Sequence, residues 1–342
     1  MALVVVAACS GSDDDGDASS QAAPGTTTAA SGGEPVPSPG CGESEAGAVD
    51  EERRTMTVAG AERFYLLTVP SAHDGQDPMP LVLDFHGLGE GAEVHTRMSG
   101  YSELAEREGF IVAFPHGQGE PVRWNVDAPP PPNDDLEFVD GILETLGEEL
   151  CVDTSRVYAT GLSFGAFMTS FLACERADTF AAVAPVAGIT RPDDCSPARP
   201  LPVVTFHGTE DQILLFNGGV GAIPGRDGPP DDTAEETTTT TAPETDLDGP
   251  GYPATLASWA EANGCDPEPT DTTVSDEVVH RVYTCPDGQD VEFYILTGSG
   301  HVWPGSEFSR AIENVVGYTT FDVSATEAAW EFFTRFQLPA DS

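Results

Sequence analysis

The chain has 342 residues, enough for one large domain or two small ones, and 39% of them are hydrophobic, including 17 Phe, which supports a sizeable core. Its 14 Lys+Arg, all of them Arg, stand against 58 Asp+Glu, a formal charge of −44. A surface this acidic repels phosphate backbones and anionic lipid, so nucleic acid and charged membrane surfaces are excluded as partners, and a solvated acidic exterior is the reading that fits.

The chain opens with Leu3-Val4-Val5-Val6-Ala7-Ala8-Cys9, an apolar run too short to span a bilayer. Small residues before Cys9 match the end of a bacterial lipoprotein signal. Residues 1–8 therefore read as a signal-peptide remnant and Cys9 as a lipidation site. Residues 9–40 are dominated by Ser, Thr, Gly, Ala, Pro and Asp; they cannot bury a core and read as a disordered acidic tether. A single domain is expected over residues 41–338, interrupted at about 218–250 by a flexible insertion carrying Pro229-Pro230-Asp231-Asp232 and a threonine run, Thr237 to Thr241.

Thr55 to Val58 and Arg63 to Val69 read as antiparallel strands. Pro80 to Gly87 reads as a buried strand ending in a turn, Tyr101 to Glu108 as a helix, Phe110 to Pro115 as a strand and Asp135 to Leu150 as a helix. Arg156 to Thr160 is a strand that leads through a tight turn into a helical run, Ala166 to Cys174. Strands at Ala182 to Gly188 and Pro202 to Gly208 follow, then a helix at Ala254 to Asn263, a strand at Val291 to Leu296 and a last helix at Ala325 to Phe336. Short apolar strands alternating with helices imply an α/β fold, a mostly parallel central sheet with helices on both faces. Sites in such sheets form at the carboxyl ends of the strands.

Cys9 aside, the cysteines are Cys41, Cys151, Cys174, Cys195, Cys265 and Cys285, an even number that suits an exported, disulfide-bonded protein. No C-x-x-C pair occurs, which argues against a zinc ribbon or a thioredoxin-type site, and no metal is expected. Cys265 and Cys285 flank one hairpin-like segment and form the expected pair; the pairing of the other four stays open.

The chemistry concentrates at Gly161-Leu162-Ser163-Phe164-Gly165. A serine at the tip of a strand–turn–helix is the arrangement of the nucleophile elbow, with glycines that allow a strained backbone and close strand–helix packing. The pentapeptide alone is a weak signal, and a serine hydroxyl needs a base. In this arrangement a carboxylate and then a histidine follow the serine along the chain. Of the three later histidines, His280 lies inside an alternating strand run, and His207 ends a strand with a carboxylate still to come. His301 lies just past Val291 to Leu296, in a glycine-rich loop that can carry an imidazole over to Ser163, so His301 is the expected base. Asp211, in His207-Gly208-Thr209-Glu210-Asp211, is the expected orienting acid, with Glu210 as its rival. The expected oxyanion hole combines the Phe164 N–H with that of Leu88 from Phe85-His86-Gly87-Leu88-Gly89. His86 reads as a loop brace rather than a base. Trp124, Asn125 and Trp303 are candidates for the substrate cleft, Trp303 because it stands two residues from the base. Asp134 and Asp135 read as caps of the helix that follows them.

Several segments occur together in a fixed order: Phe85-His86-Gly87, Cys151-Val152-Asp153 leading to Tyr158-Ala159-Thr160-Gly161-Leu162-Ser163, and Phe180 to Gly188. His207-Gly208-Thr209-Glu210-Asp211, Trp259 to Cys265 and Gly300-His301-Val302-Trp303-Pro304 continue the series. In these the chain resembles secreted esterases of the polyhydroxybutyrate depolymerase group, with feruloyl and acetylxylan esterases close by, from about residue 40 to 338. The resemblance implies an α/β-hydrolase with a Ser163, Asp211, His301 triad and no metal or organic cofactor. It also implies an extracellular serine esterase that cleaves short hydroxyacyl esters or oligomers through an acyl-enzyme. A feruloyl or acetylxylan esterase acting on plant cell-wall polysaccharide esters is the alternative. A lipid-anchored binding protein without catalysis is a lesser one. A monomer at the cell surface or outside the cell is expected, held through Cys9, with an ester substrate as its partner. Two features depart from the group: Ala166 stands where a further glycine is frequent, and the threonine-rich insertion lies near the expected rim of the site.

Overall fold

The computed structural model describes residues 33–44, 47–126, 133–222 and 245–339; Cys9, most of the tether and the centre of the insertion lie outside the described residues. The strands are β1 (Val49–Val58), β2 (Ala61–Val69), β3 (Met79–Phe85), β4 (Ile111–Pro115), β5 (Val152–Leu162), β6 (Ala182–Val186), β7 (Val203–Gly208), β8 (Thr270–Thr273), β9 (Val278–Tyr283) and β10 (Val291–Leu296). They form one sheet in the order β1-β2-β4-β3-β5-β6-β7-β10-β9-β8. The six central strands, β4 to β10 in that order, are parallel. Hairpins close both edges in antiparallel fashion.

The helices are α1 (Ala92–Ser99), α2 (Tyr101–Glu108), α3 (Asp134–Glu149), α4 (Phe164–Glu175), α5 (Tyr252–Ala262), α6 (Glu307–Ala311), α7 (Glu313–Val316) and α8 (Ala325–Phe333). Two apolar cores sandwich the sheet, and the strand side chains alternate between them with the period of two that a pleat imposes. Leu81, Leu83 and Phe85 join Leu136, Phe138, Met168 and Trp259 from α3, α4 and α5 on one face. Val82, Val112 and Phe114 join Met98, Tyr101, Leu104, Trp330 and Phe333 from α1, α2 and α8 on the other. Burial on both faces is why β4 and β6 read as unbroken apolar runs. The expected fold class is the one observed. Among the described residues no helix is long and apolar enough to cross a membrane.

Several segments differ from expectation, among them the short helices α6 and α7, which are not in the expected series. β8 (Thr-Asp-Thr-Thr) is exposed throughout, a polar edge strand with no apolar pattern to betray it. α1 buries His95, Thr96 and Ser99 alongside Ala92 and Met98, so its inner face carries no apolar stripe. Residues 33–40, expected as the end of the tether, are seated on the domain. The Val36 N–H donates to Asp153 Oδ1 at 2.9 Å, and the Ser38 hydroxyl donates to Leu150 O at 2.8 Å. The Val36 N–H thus adds to the donors that Ser155 and Arg156 give the fully buried Asp153 carboxylate.

The structure contains Cys41–Cys151, Cys174–Cys195 and Cys265–Cys285 disulfides. The first closes a loop of 110 residues in sequence separation and fastens the N-terminal segment beside the start of β5. Constraint of an unfolded loop of that order contributes about 4.7 kcal/mol by chain entropy. The third bridges the end of the β8–β9 hairpin to the segment after α5.

Candidate active site

β5 runs into α4 through Ser163, which adopts φ 56° and ψ −114°. A non-glycine residue at positive φ stores about 1–3 kcal/mol of strain and persists only where its surroundings over-determine it. Here they do. The Ser163 N–H donates to Val186 O at 2.9 Å, and its carbonyl accepts from Phe167 N–H at 3.0 Å. The flanking glycines are required by contact: a Cβ on Gly165 would lie 1.9 Å from Phe85 O, and one on Gly161 would lie 2.6 Å from the same oxygen. That carbonyl cannot yield, so the two glycines are what let β5 and the start of α4 pack against the end of β3, with Ser163 between them at the sheet's carboxyl edge. The residue is half-buried.

Asp211 follows β7 and His301 follows β10, parallel neighbours in the sheet, so both loops emerge on the same rim as Ser163. The structure brings them together: His301 Nδ1 lies 2.7 Å from Asp211 Oδ2. Glu210 does not compete, because its side chain is exposed. Asp211 Oδ1 accepts the N–H groups of Ile213 and Leu214, each at 2.8 Å. Burial alone would raise the Asp211 carboxyl, but the imidazole of His301, reinforced by their hydrogen bond, by His207 and by the Leu214 amide, holds it below the usual carboxylate range. The carboxylate is therefore ionised and fully engaged.

His207, set aside as a base, contacts this same carboxylate. Its Nε2 lies 2.9 Å from Leu214 O and 3.3 Å from Asp211 Oδ2, and its ring stacks 3.7 Å from that of Tyr252. Burial drives its imidazole down to about 4, so it is neutral, and facing two acceptors it carries its proton on Nε2. The spacing of four residues between His207 and Asp211 is the sequence signal for this contact, and it is masked by the resemblance of a strand-end histidine to a catalytic base.

The loop after β3 passes next to the elbow: a Cβ on Gly87 would lie 3.6 Å from Ser163 Cβ. Leu88 presents an exposed side chain, and its N–H donates to no group among the described residues. His86 braces this loop from beneath. Its Nδ1 lies 2.7 Å from Gly87 O, its Nε2 accepts Gly117 N–H at 2.9 Å, and burial lowers it to about 4. A neutral ring with its proton on Nδ1 satisfies both contacts.

The candidate cleft residues separate. Asn125 is exposed and Trp124 is 2% exposed; both border a cleft of about 470 Å³ that also touches Phe164, Gln118 and Arg123. The Trp124 indole donates to His86 O at 2.9 Å, so it forms a fixed edge of that cleft. Trp303 is corrected: it is 1% exposed, packs edge-on against His95 and Tyr101, and donates its indole N–H to Thr326 at 2.9 Å. The chain turns after His301 and sends this ring into the core instead of the cleft. The helix-cap expectation is corrected too. Asn133 caps α3 by accepting from Asp135 and Leu136 N–H. Asp135 pairs with buried Arg63 at 2.6 Å and accepts the Asn125 N–H, which shapes the cleft wall. Among the described residues no group of three or more His, Cys, Asp or Glu is placed to hold a metal ion.

Residues 97–194 match the prolyl oligopeptidase family. NocK of Nocardia uniformis subsp. tsuyamanensis, a protein assigned as an esterase, is 31% identical over 82% of this chain and 81% of its own length. Feruloyl esterase B of Piromyces equi is 29% identical over 70% of this chain, and the chain spans 42% of that relative's length. Among solved structures, the acetyl xylan esterase from Aspergillus awamori shares the fold, with a TM-score of 0.52 and 15% identity over 77% of this chain and 98% of that one. Similarity along most of both chains to NocK, with the sheet order and elbow above, places the sequence: the chain belongs to the α/β-hydrolase family of carboxylic ester hydrolases.

Proposed function

We propose that the protein hydrolyses esters through an acyl-enzyme, with Ser163 as nucleophile, His301 as base and Asp211 as its orienting acid. The observation that carries this reading is the 2.7 Å contact between His301 Nδ1 and Asp211 on the rim that also bears the positive-φ Ser163. Asp211 fixes the proton on Nδ1 and leaves Nε2 as the acceptor. Ser163 Oγ attacks the ester carbonyl while Nε2 takes its proton. The resulting oxyanion is held by the Phe164 and Leu88 N–H groups, where each donor is worth about 10²- to 10³-fold in rate. Nε2 then protonates the departing alkoxide. A water, deprotonated by the same nitrogen, attacks the acyl-enzyme, and the acid and Ser163 are released.

Polysaccharide-linked esters fit the site better than polyester oligomers. The cleft beside Phe164 is bordered by Gln118, Arg123, Asn125 and Asp134, a mixture of donors and acceptors that can pair with a sugar's hydroxyls, whereas a polyester chain offers only acceptors and leaves the Asp134 carboxylate without a donor. The relatives that bear the name feruloyl esterase include those of Piromyces equi and Aspergillus niger. With acetylated xylan, methyl ferulate and hydroxybutyrate oligomers as substrates, kcat/KM is expected to be at least about tenfold higher for the polysaccharide-type esters. A preference for the oligomers would reverse the assignment.

Three disulfides support residence in an oxidising compartment outside the cytoplasm. The sequence context of Cys9 supports anchoring there by lipid. Metabolic labelling with a palmitate analogue should mark the protein in its native host; an unlabelled wild type would eliminate the anchor, and a label that persists in Cys9→Ser would remove Cys9 as its site.

A further inference from the structure

Beneath the loop that carries Leu88 lies a buried ion cluster that the mechanism above does not use. His95, on α1, is fully buried. Its Nε2 lies 2.8 Å from Asp84 Oδ1, and its Nδ1 lies 3.2 Å from Glu90 Oε1. Carboxylate oxygens only accept, so the imidazolium is the form that satisfies both contacts at once. Burial by itself would discharge the ring, but Asp84 and then Glu90 outweigh it and raise His95 to about 10. The ring of Trp303 closes the cluster edge-on at 5.6 Å between centroids.

The second Glu90 oxygen reaches forward. Oε2 accepts the Gly87 N–H at 2.7 Å. On the other side of the same residue, Gly87 O accepts the Glu90 N–H at 3.2 Å and faces His86 Nδ1 at 2.7 Å. Both polar groups of Gly87 are thus committed, and the next N–H along the chain, that of Leu88, is left without a partner among the described residues. Asp84 belongs to β3, so a chain of three charges ties the loop to the sheet.

We propose that Glu90, clamped by an imidazolium at His95 that Asp84 anchors to β3, is a positioning residue that aims the Leu88 N–H at the oxyanion. The inference rests on the reading of Leu88 and Phe164 as oxyanion donors. Removing the carboxylate frees the Gly87 N–H and leaves the His86–Gly87 peptide held only at its other end, where the Trp124 indole donates to His86 O, and that slack misdirects the neighbouring Leu88 N–H. The loss falls on the transition state, where the negative charge develops, and spares substrate binding.

The test uses the full purified chain and methyl ferulate. Glu90→Ala is expected to lower kcat by about 10- to 100-fold with KM within about twofold of wild type. Glu90→Gln is expected to restore most of kcat, since its amide oxygen can accept the Gly87 N–H while its NH₂ donates to His95 Nδ1. In protein labelled with ¹⁵N-histidine at pH 8, His95 is expected to show two ring N–H signals in wild type and one in Glu90→Gln. Wild-type kcat in folded Glu90→Ala, a loss that Gln does not restore, or a single His95 N–H in wild type would each overturn the proposal. Should Glu90→Ala fail to fold, the wild-type and Gln spectra still decide. Fluorophosphonate labelling of Ser163 reports separately on the catalytic reading, so its failure is told apart from failure of the clamp.

Discussion

Ser163→Ala is expected to lower kcat for ester hydrolysis about a million-fold and to leave the fold intact. The size follows from covalent catalysis: without Oγ there is no acyl-enzyme, and His301 and Asp211 have no proton to move. Phe164 and Leu88 N–H groups would remain, so a residual acceleration of about 10³-fold over the solvent reaction is expected from oxyanion binding alone. Stability should change by no more than about 0.5 kcal/mol. The strain at φ 56° belongs to any residue with a Cβ, so serine and alanine share it, and the restraining hydrogen bonds from Val186 and Phe167 are made by the backbone. An unchanged urea midpoint together with loss of fluorophosphonate labelling establishes that the chemistry alone was removed. Hydrolysis within tenfold of wild type would end the assignment of Ser163.

The sequence is legible where a local pattern and the tertiary environment agree. β4 and β6 are apolar throughout because both faces of the sheet are covered, and α2 is found at its observed bounds. The proposed nucleophile, acid and base can be picked out as well, since Ser163, Asp211 and His301 each lie just past the carboxyl end of a readable strand. What escapes is fixed by distant partners. α1 is hidden because its buried face includes His95, whose burial is tolerable only against Asp84 and Glu90. β8 has no apolar residue and is specified by pairing with β9. Trp303 misleads because proximity along the chain says nothing of direction: two residues from His301, its indole points to α8. Asp135 misleads because Asn133 supplies the same capping chemistry two residues earlier, which frees the aspartate for Arg63.

Asp211→Asn is expected to lower kcat by about 10⁴-fold, more than any other change to the acid–base pair short of removing His301. The carboxylate is surrounded by donors. Oδ1 takes the Ile213 and Leu214 amides, and Oδ2 faces His301 Nδ1 at 2.7 Å and His207 Nε2 at 3.3 Å. An asparagine has only one oxygen. Turned to keep the two backbone amides, it sets its NH₂ against His301 Nδ1, which must then accept and hold its proton on Nε2, where it cannot act as a base. Turned the other way, it sets NH₂ against two N–H groups that cannot move. The first orientation is the one the backbone selects, so the defect is a wrong tautomer in an otherwise native site, and KM should stay within about twofold. A stability signature should accompany it. The carboxyl is depressed in the folded state, so its contribution is present above the unfolded value of about 3.9 and is lost as pH falls through the lower native one. Asp211→Asn should therefore unfold at a lower temperature than wild type at pH 7, and the gap should close on acidification below that range. A variant with kcat within tenfold of wild type would remove Asp211 from catalysis, while a gap that widens in acid would mean that its charge is not what the surrounding donors stabilise.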